Sequence, residues 1–177
     1  MTSQKTAKQD GPTVLVVDDN QHMRVLLIEV LRAIGVGEVR EASDGSEALN
    51  VLRQRRIDLV ICDLAMQPVD GIDFVRLLRT SPDSPDQMVP VIIVSGHSTA
   101  SKVYEARDAG ANEFLVKPIT ARGVLDRIAR VIHQPRDFVR STDYVGPDRR
   151  RKDDPNYEGP WRRAGDQEAV PASVSRS

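Results

Sequence analysis

The sequence predicts an α/β fold, a doubly wound sheet of five parallel strands with helices on both faces. Three observations lead there. Short apolar runs too brief for helices recur along the first 134 residues. Each is followed by a stretch with helical spacing of its apolar residues, and the strict alternation calls for right-handed crossovers. The runs lack the in-out alternation of a half-exposed strand, so they suit strands buried on both faces.

Residues 1–12 read as a disordered lead-in ending at Gly11-Pro12. Val14 to Val17 is the first strand, stopped at Asp18-Asp19-Asn20. Asn20 is a candidate cap for a helix carrying Met23, Leu26, Leu27, Val30, Leu31 and Ile34, which Gly35 ends. Glu38 to Ala42 is a weaker strand. Ser43 to Glu47 supplies a loop and cap before a helix with Ala48, Leu49, Val51 and Leu52. Leu59 to Cys62 is the third strand, again ending in an acid, Asp63. Leu64 to Gly71 is a loop, and Ile72, Val75, Leu77 and Leu78 mark the third helix. After a loop with Pro82 and Pro85, Val91 to Val94 forms the fourth strand, ending at Ser95-Gly96-His97. Val103, Ala106 and Ala109 define a modest helix stopped by Gly110. Glu113 to Val116 is the fifth strand, ending at Lys117-Pro118, and Val124, Leu125, Ile128, Val131 and Ile132 make the last helix.

Composition narrows the function. A formal net charge of −1 leaves no bulk attraction for nucleic acid or anionic lipid. One cysteine, Cys62, excludes a disulfide framework and a cysteine-based zinc site. His22, His97 and His133 have no metal-ligand spacing. No apolar run approaches the roughly 18 residues of a membrane span, and the polar first ten residues do not read as a secretory signal. The expected compartment is the cytoplasm.

Ligands of an open parallel sheet bind beyond the carboxyl ends of its strands. Those ends carry Asp18 and Asp19, then Asp63, Ser95 and Lys117. Three carboxylates at one edge repel one another unless a cation sits among them, and an all-oxygen set suits Mg²⁺. A lysine and a hydroxyl supply the positive charge and the donor that a transferring phosphoryl group requires. The edge therefore reads as a phosphoryl-transfer site with an aspartate as nucleophile.

With those residues in place, the chain resembles a bacterial two-component response-regulator receiver domain of the chemotaxis-regulator type. The likeness spans about residues 12–134 and rests on Asp18-Asp19, Asp63, Asp70-Gly71, Ser95-Gly96 and Lys117-Pro118 in that order. It implies the flavodoxin-like strand order 2-1-3-4-5. It also implies that Asp63 takes a phosphoryl group from a sensor histidine kinase or a histidine phosphotransfer protein. Asp19 would bind Mg²⁺ directly, Asp18 mainly through water, and the Ala65 backbone carbonyl would join Asp63 as a ligand. Ser95 and Lys117 would hold the phosphoryl oxygens, and the bond before Pro118 would be cis. Ser95 and Phe114 would form the switch, changing the surface of the fourth helix, fifth strand and fifth helix and so its protein partners or its dimerisation. Three departures from the family pattern stand out. Gln67 intervenes before Pro68, Phe114 replaces a frequent tyrosine, and Ala65 and His97 occupy the positions that tune phosphoryl hydrolysis.

Plainer readings stand beside these. Asp18-Asp19 would serve as a helix cap and Asp63 as a turn acid in isolation. Cys62 reads as packing, His22 as a solvated helix residue and His133 as a favourable charge at a helix end. An enzyme alternative is a Mg²⁺-dependent aspartyl-phosphate phosphatase of the haloacid-dehalogenase type. It needs Asp-x-Asp after the first strand, whereas this chain has Asp18-Asp19-Asn20 there and Asp63-Leu64-Ala65 after the third. A binding module that no longer takes phosphate is the other, and its usual sign is loss of the acids or the lysine.

Residues 135–177 form a Pro- and Arg-rich tail without periodicity, expected to be mostly extended or disordered. The pattern Y-x-G-P-x-R-R occurs in it twice, at 144–150 and 157–163. Phe138, Tyr144, Tyr157 and Trp161 are more aromatics than a solvated linker requires, which sets a short motif docking on a partner or back on the preceding domain beside plain disorder, with nucleic-acid contact behind both. The tail has no helix-turn-helix pattern, and DNA binding is not expected.

Overall fold

A computed structural model describes residues 11–96 and 99–149 and the two-residue strand at 169–170. The main sheet is made of β1 (Thr13–Val17), β2 (Glu38–Ala42), β3 (Leu59–Asp63), β4 (Val91–Ser95) and β5 (Glu113–Val116). All pairings are parallel, in the order β2-β1-β3-β4-β5. The order reverses at β1, which opens a crevice between the carboxyl ends of β1 and β3. The helices are α1 (Gln21–Ala33), α2 (Gly45–Gln54), α3 (Gly71–Thr80), α4 (Ala100–Ala109) and α5 (Ala121–His133).

The apolar runs are continuous because each strand feeds two cores. Val14, Val16, Leu59, Ile61, Ile92 and Val94 point to one face and pack with Leu27 and Leu31 of α1 and Val124 and Ile128 of α5. Leu15, Val17, Val60, Cys62, Val91 and Ile93 point to the other and meet residues of α2, α3 and α4. The edge strand β2 is only half-buried along most of its length, which explains its polar sequence and weak signal.

The capping residues act as the sequence suggests. Asn20 Oδ1 accepts from the amides of His22 and Met23, and Asp44 from those of Ser46 and Glu47. The second helix therefore begins at Gly45, earlier than its apolar pattern. Asp70 caps α3 through the Asp73 amide, and Thr120 caps α5 through that of Gly123. Thr99, before α4, makes no side-chain cap bond.

The chain does not leave the domain after α5. Three-residue strands β6 (Phe138–Arg140) and β7 (Val145–Pro147) pair antiparallel, and β8 (Ala169–Val170) pairs with the other edge of β6. Where the sequence predicts an extended tail, this hairpin packs at the amino-terminal pole of the main sheet. It covers Arg79, a fully buried residue of α3. The guanidinium donates to the carbonyls of Gly110 (3.1 Å) and Gln87 (2.8 Å) and to Asn112 Oδ1 (3.3 Å), with the Phe138 ring 5.1 Å away as a lid. Burial pulls its pKa down to about 10. The reading of the tail as two similar motifs is described for the first only, since 157–163 lie outside the described residues.

Candidate active site at the carboxyl edge of the sheet

The residues singled out in the sequence come together at one end of the sheet. Asp63 ends β3 and is buried, Asp18 follows β1 and is buried, and Asp19 beside it is exposed. One oxygen from each of these three carboxylates lies within 4.8 Å of the others. Lys117, one residue past β5, places Nζ 2.7 Å from Asp63 Oδ1 and 3.8 Å from Asp18 Oδ2. Ser95 is buried at the end of β4, and its carbonyl accepts the Lys117 amide at 2.8 Å. The Lys117-Pro118 peptide is cis, as is Gln67-Pro68.

Local structure fixes the acids. Asp18 accepts the Asn20 amide on Oδ1 at 2.8 Å, while Arg24 donates to the Asp18 carbonyl at 2.8 Å and pairs with Glu41. Asp63 Oδ2 accepts the Ala65 amide at 3.0 Å. The exposed Ala65 leads a loop that closes where the Gly71 amide meets the Leu64 carbonyl. A Cβ at Gly71 would lie 2.3 Å from the Asp63 carbonyl oxygen, so the loop needs glycine to return so close to β3.

The electrostatics favour a cation. Asp18 Oδ2 is buried without a hydrogen-bond partner. Its carboxyl pKa is raised, first by burial and then by the charges of Asp63 and Asp19. The Asn20 amide and Lys117 oppose the rise. One lysine faces three carboxylates, an excess of negative charge that a hard divalent ion with oxygen ligands would offset. The donor set therefore fits Mg²⁺.

The remaining candidates take quieter positions. Phe114 is buried in the core face shared with α3 and α4. Cys62 is wholly buried, its thiol pKa pushed well up by burial, and its Sγ lies 3.3 Å from the Asp63 carbonyl. His22 and His133 are exposed. His97 lies outside the described residues. Sequence reasoning passed over Arg79 and Asn112, which organise the opposite pole. Arg79 stands four residues after Val75 and seven after Ile72, on the apolar stripe of α3, and that periodicity marks it as inward-facing. Among the described residues no helix is long and apolar enough to cross a membrane.

Comparison with known proteins agrees with this geometry. Residues 14–129 match the family model described as the response regulator receiver domain. The chain is 32% identical over 121 residues to the chemotaxis protein CheY of Pseudomonas aeruginosa, covering 68% of this chain and 96% of that protein. It is 35% identical over 116 residues to the CAI-1 autoinducer sensor kinase/phosphatase CqsS of Vibrio cholerae, covering 66% of this chain and 17% of that one. Among solved structures, the chemotaxis protein CheY4 of Vibrio cholerae superposes with a TM-score of 0.63 at 31% identity, over 68% of this chain and 98% of that one. The receiver domain of sensor histidine kinase PA1611 from Pseudomonas aeruginosa, which has a magnesium ion coordinated in its active-site cleft, shares the fold at 24% identity. Its TM-score is 0.62, over 70% of this chain and 98% of that chain. With the 2-1-3-4-5 sheet and its acidic edge in hand, these matches place the chain in the response regulator receiver family of two-component signalling.

Proposed function

We propose that this chain is a phosphoacceptor whose Asp63 takes a phosphoryl group from a phosphohistidine, on a sensor histidine kinase or a histidine phosphotransfer protein. The observation that carries the reading is the 2.7 Å contact between Lys117 Nζ and Asp63 Oδ1 inside a cluster of three carboxylates. An Asp63 carboxylate oxygen attacks phosphorus as the donor P–N bond breaks, and the electron pair leaves with the imidazole. Lys117 and the Ser95 hydroxyl take the phosphoryl oxygens. Asp19, Asp63 and the Ala65 carbonyl would hold Mg²⁺, with Asp18 acting through water. The ion supplies positive charge beside the transferring group. The magnesium described for the PA1611 receiver domain and the acidic cluster of this chain support that assignment.

Phosphorylation then acts through Ser95 and Phe114 on the face of α4, β5 and α5, where Tyr104, Val116 and Leu125 are exposed to a protein partner or a second copy. The CqsS match, a receiver-like segment within a sensor kinase, supports a histidine-based donor. The test is incorporation from acetyl phosphate with Mg²⁺ into the full chain, read as a hydroxylamine-labile acyl phosphate. Asp63→Asn is expected to incorporate none. Undiminished incorporation by that variant overturns the assignment.

A further inference from the structure

The hairpin at the opposite pole is built in part from the first copy of the Y-x-G-P-x-R-R sequence. Four of its five fixed positions in the first copy that are described make specific contacts. Tyr144 is buried, and its hydroxyl donates to the Pro147 carbonyl three residues on at 2.7 Å. A Cβ at Gly146 would lie 2.6 Å from that hydroxyl and 2.9 Å from Gly110 Cα, so glycine is required between the two. Pro147 pairs with Phe138 in the hairpin. The Arg149 guanidinium lies 3.7 Å above the Tyr144 ring and 3.3 Å from Asp108 at the end of α4.

The seat belongs to the receiver fold. Gly110 has φ +106, and a Cβ there would meet the Val145 carbonyl at 2.9 Å. Asp108 takes the arginine. Arg136 donates to the Asn112 carbonyl and, at 3.1 Å, to that of Asp148. Arg140 reaches Gln87 Oε1 at 2.6 Å. Between the copies Val145 becomes Glu158, and Asp148 becomes Trp161.

We infer that the cradle of Asp108 and Gly110 is a docking site for the Tyr-x-Gly-Pro-x-Arg sequence. Its second ligand is the Tyr157–Arg163 segment of a second copy of this chain. Tyr157, Gly159, Pro160 and Arg162 repeat Tyr144, Gly146, Pro147 and Arg149 of the first copy. Each chain has one such cradle among its described residues, and its own first copy fills that cradle. A second copy of the ligand therefore enters a cradle, on another molecule, only where that molecule's first copy has left it. Seven residues separate Arg149 from Tyr157, and extended they reach about 25 Å, enough to cross to a facing pole. Reciprocal exchange gives a closed two-fold pair in which each chain lends its second copy and receives its partner's. The first copy competes at the high effective concentration of a tethered ligand, so the exchange is expected to emerge when that copy is weakened.

The experiment is sedimentation of the full-length chain over a range of concentrations. Tyr144→Ala, which vacates the cradle, is expected to dimerise at a concentration at least about tenfold lower than the parent chain. Adding Tyr157→Ala and Arg162→Ala to it is expected to return the monomer. If circular dichroism shows that Tyr144→Ala disturbs the fold, Arg149→Gln loosens the same seat from outside and runs through the same comparison. A weakened chain that stays monomeric throughout, with its second copy taking its own cradle or none, overturns the inference. So does a dimer that survives loss of Tyr157 and Arg162.

Discussion

Replacing Phe138 with alanine tests whether the hairpin is a working part of the domain. Phe138 is 7% exposed, and its ring closes over the Arg79 guanidinium at 5.1 Å. A phenylalanine-to-alanine change in a core costs about 3–5 kcal/mol, and the lost cation–π contact adds roughly 0.5–2 kcal/mol. Two effects work the other way. Removing the ring lets water reach a guanidinium that burial disfavours, which returns part of its hydration. The hairpin can also let go of the pole, and the loss cannot exceed its docking free energy. The expected destabilisation is therefore about 2–3 kcal/mol, below the full core value. At about 2–4 °C per kcal/mol for a chain of this length, the melting temperature falls by about 4–12 °C. Phe138→Leu keeps most of the apolar cover but not the ring, and is expected to lose about 1 kcal/mol. Urea unfolding of the full chain reads both. Hydrogen exchange at the Asp148 amide, bonded to the Asp137 carbonyl at 2.7 Å, reports release of the hairpin alone. The reasoning fails if Phe138→Ala stays within about 0.5 kcal/mol of the parent and Asp148 keeps its protection.

Gly71→Ala forces a Cβ to 2.3 Å from the Asp63 carbonyl, and is expected to cost about 1–3 kcal/mol and to slow Asp63 phosphorylation, read by melting and by acyl-phosphate formation. Asp18→Asn removes a buried charge whose Oδ2 has no hydrogen-bond partner. It is expected to raise stability by on the order of 1 kcal/mol while weakening the thermal shift given by added Mg²⁺; a gain in both readings contradicts the cluster's role. The Ser43 amide and hydroxyl hold the Glu47 carboxyl below its usual pKa, so this contribution is present above the unfolded value and is lost as pH falls through the folded one. Glu47→Gln is accordingly expected to lose about 0.5 kcal/mol at neutral pH, and the difference from the parent should shrink as pH falls through the folded value in melts across pH.

The parts of the fold that are readable from sequence are those in which one residue's position decides its environment. β1, β3 and β4 are runs of Val, Ile and Leu because both faces are covered, and that pattern has few other meanings. The site is readable for a related reason. An acid, a serine or a lysine that interrupts such a run must stand at its open end, so Asp18, Asp63, Ser95 and Lys117 announce one edge together. β2 is fainter because its outer edge meets solvent. The hairpin is another matter. β6 and β7 are three residues each, too short for periodicity, and their seat is assembled from Arg79, Asp108, Gly110 and Asn112 on other elements. Only the excess of aromatics in the tail hinted that something there was buried. Arg79 was hidden for the opposite reason, since a cation on an apolar stripe is ordinarily taken for a solvated end.

β4 begins at Val91, whose amide is held by the Asn112 side chain beside the hairpin, and ends at Ser95 beside Asp63. From the first of those residues to the last the strand rises about 13 Å. Cargo fused to the hairpin therefore rides on the far side of the sheet from the three carboxylates, leaving the approach to that edge unobstructed.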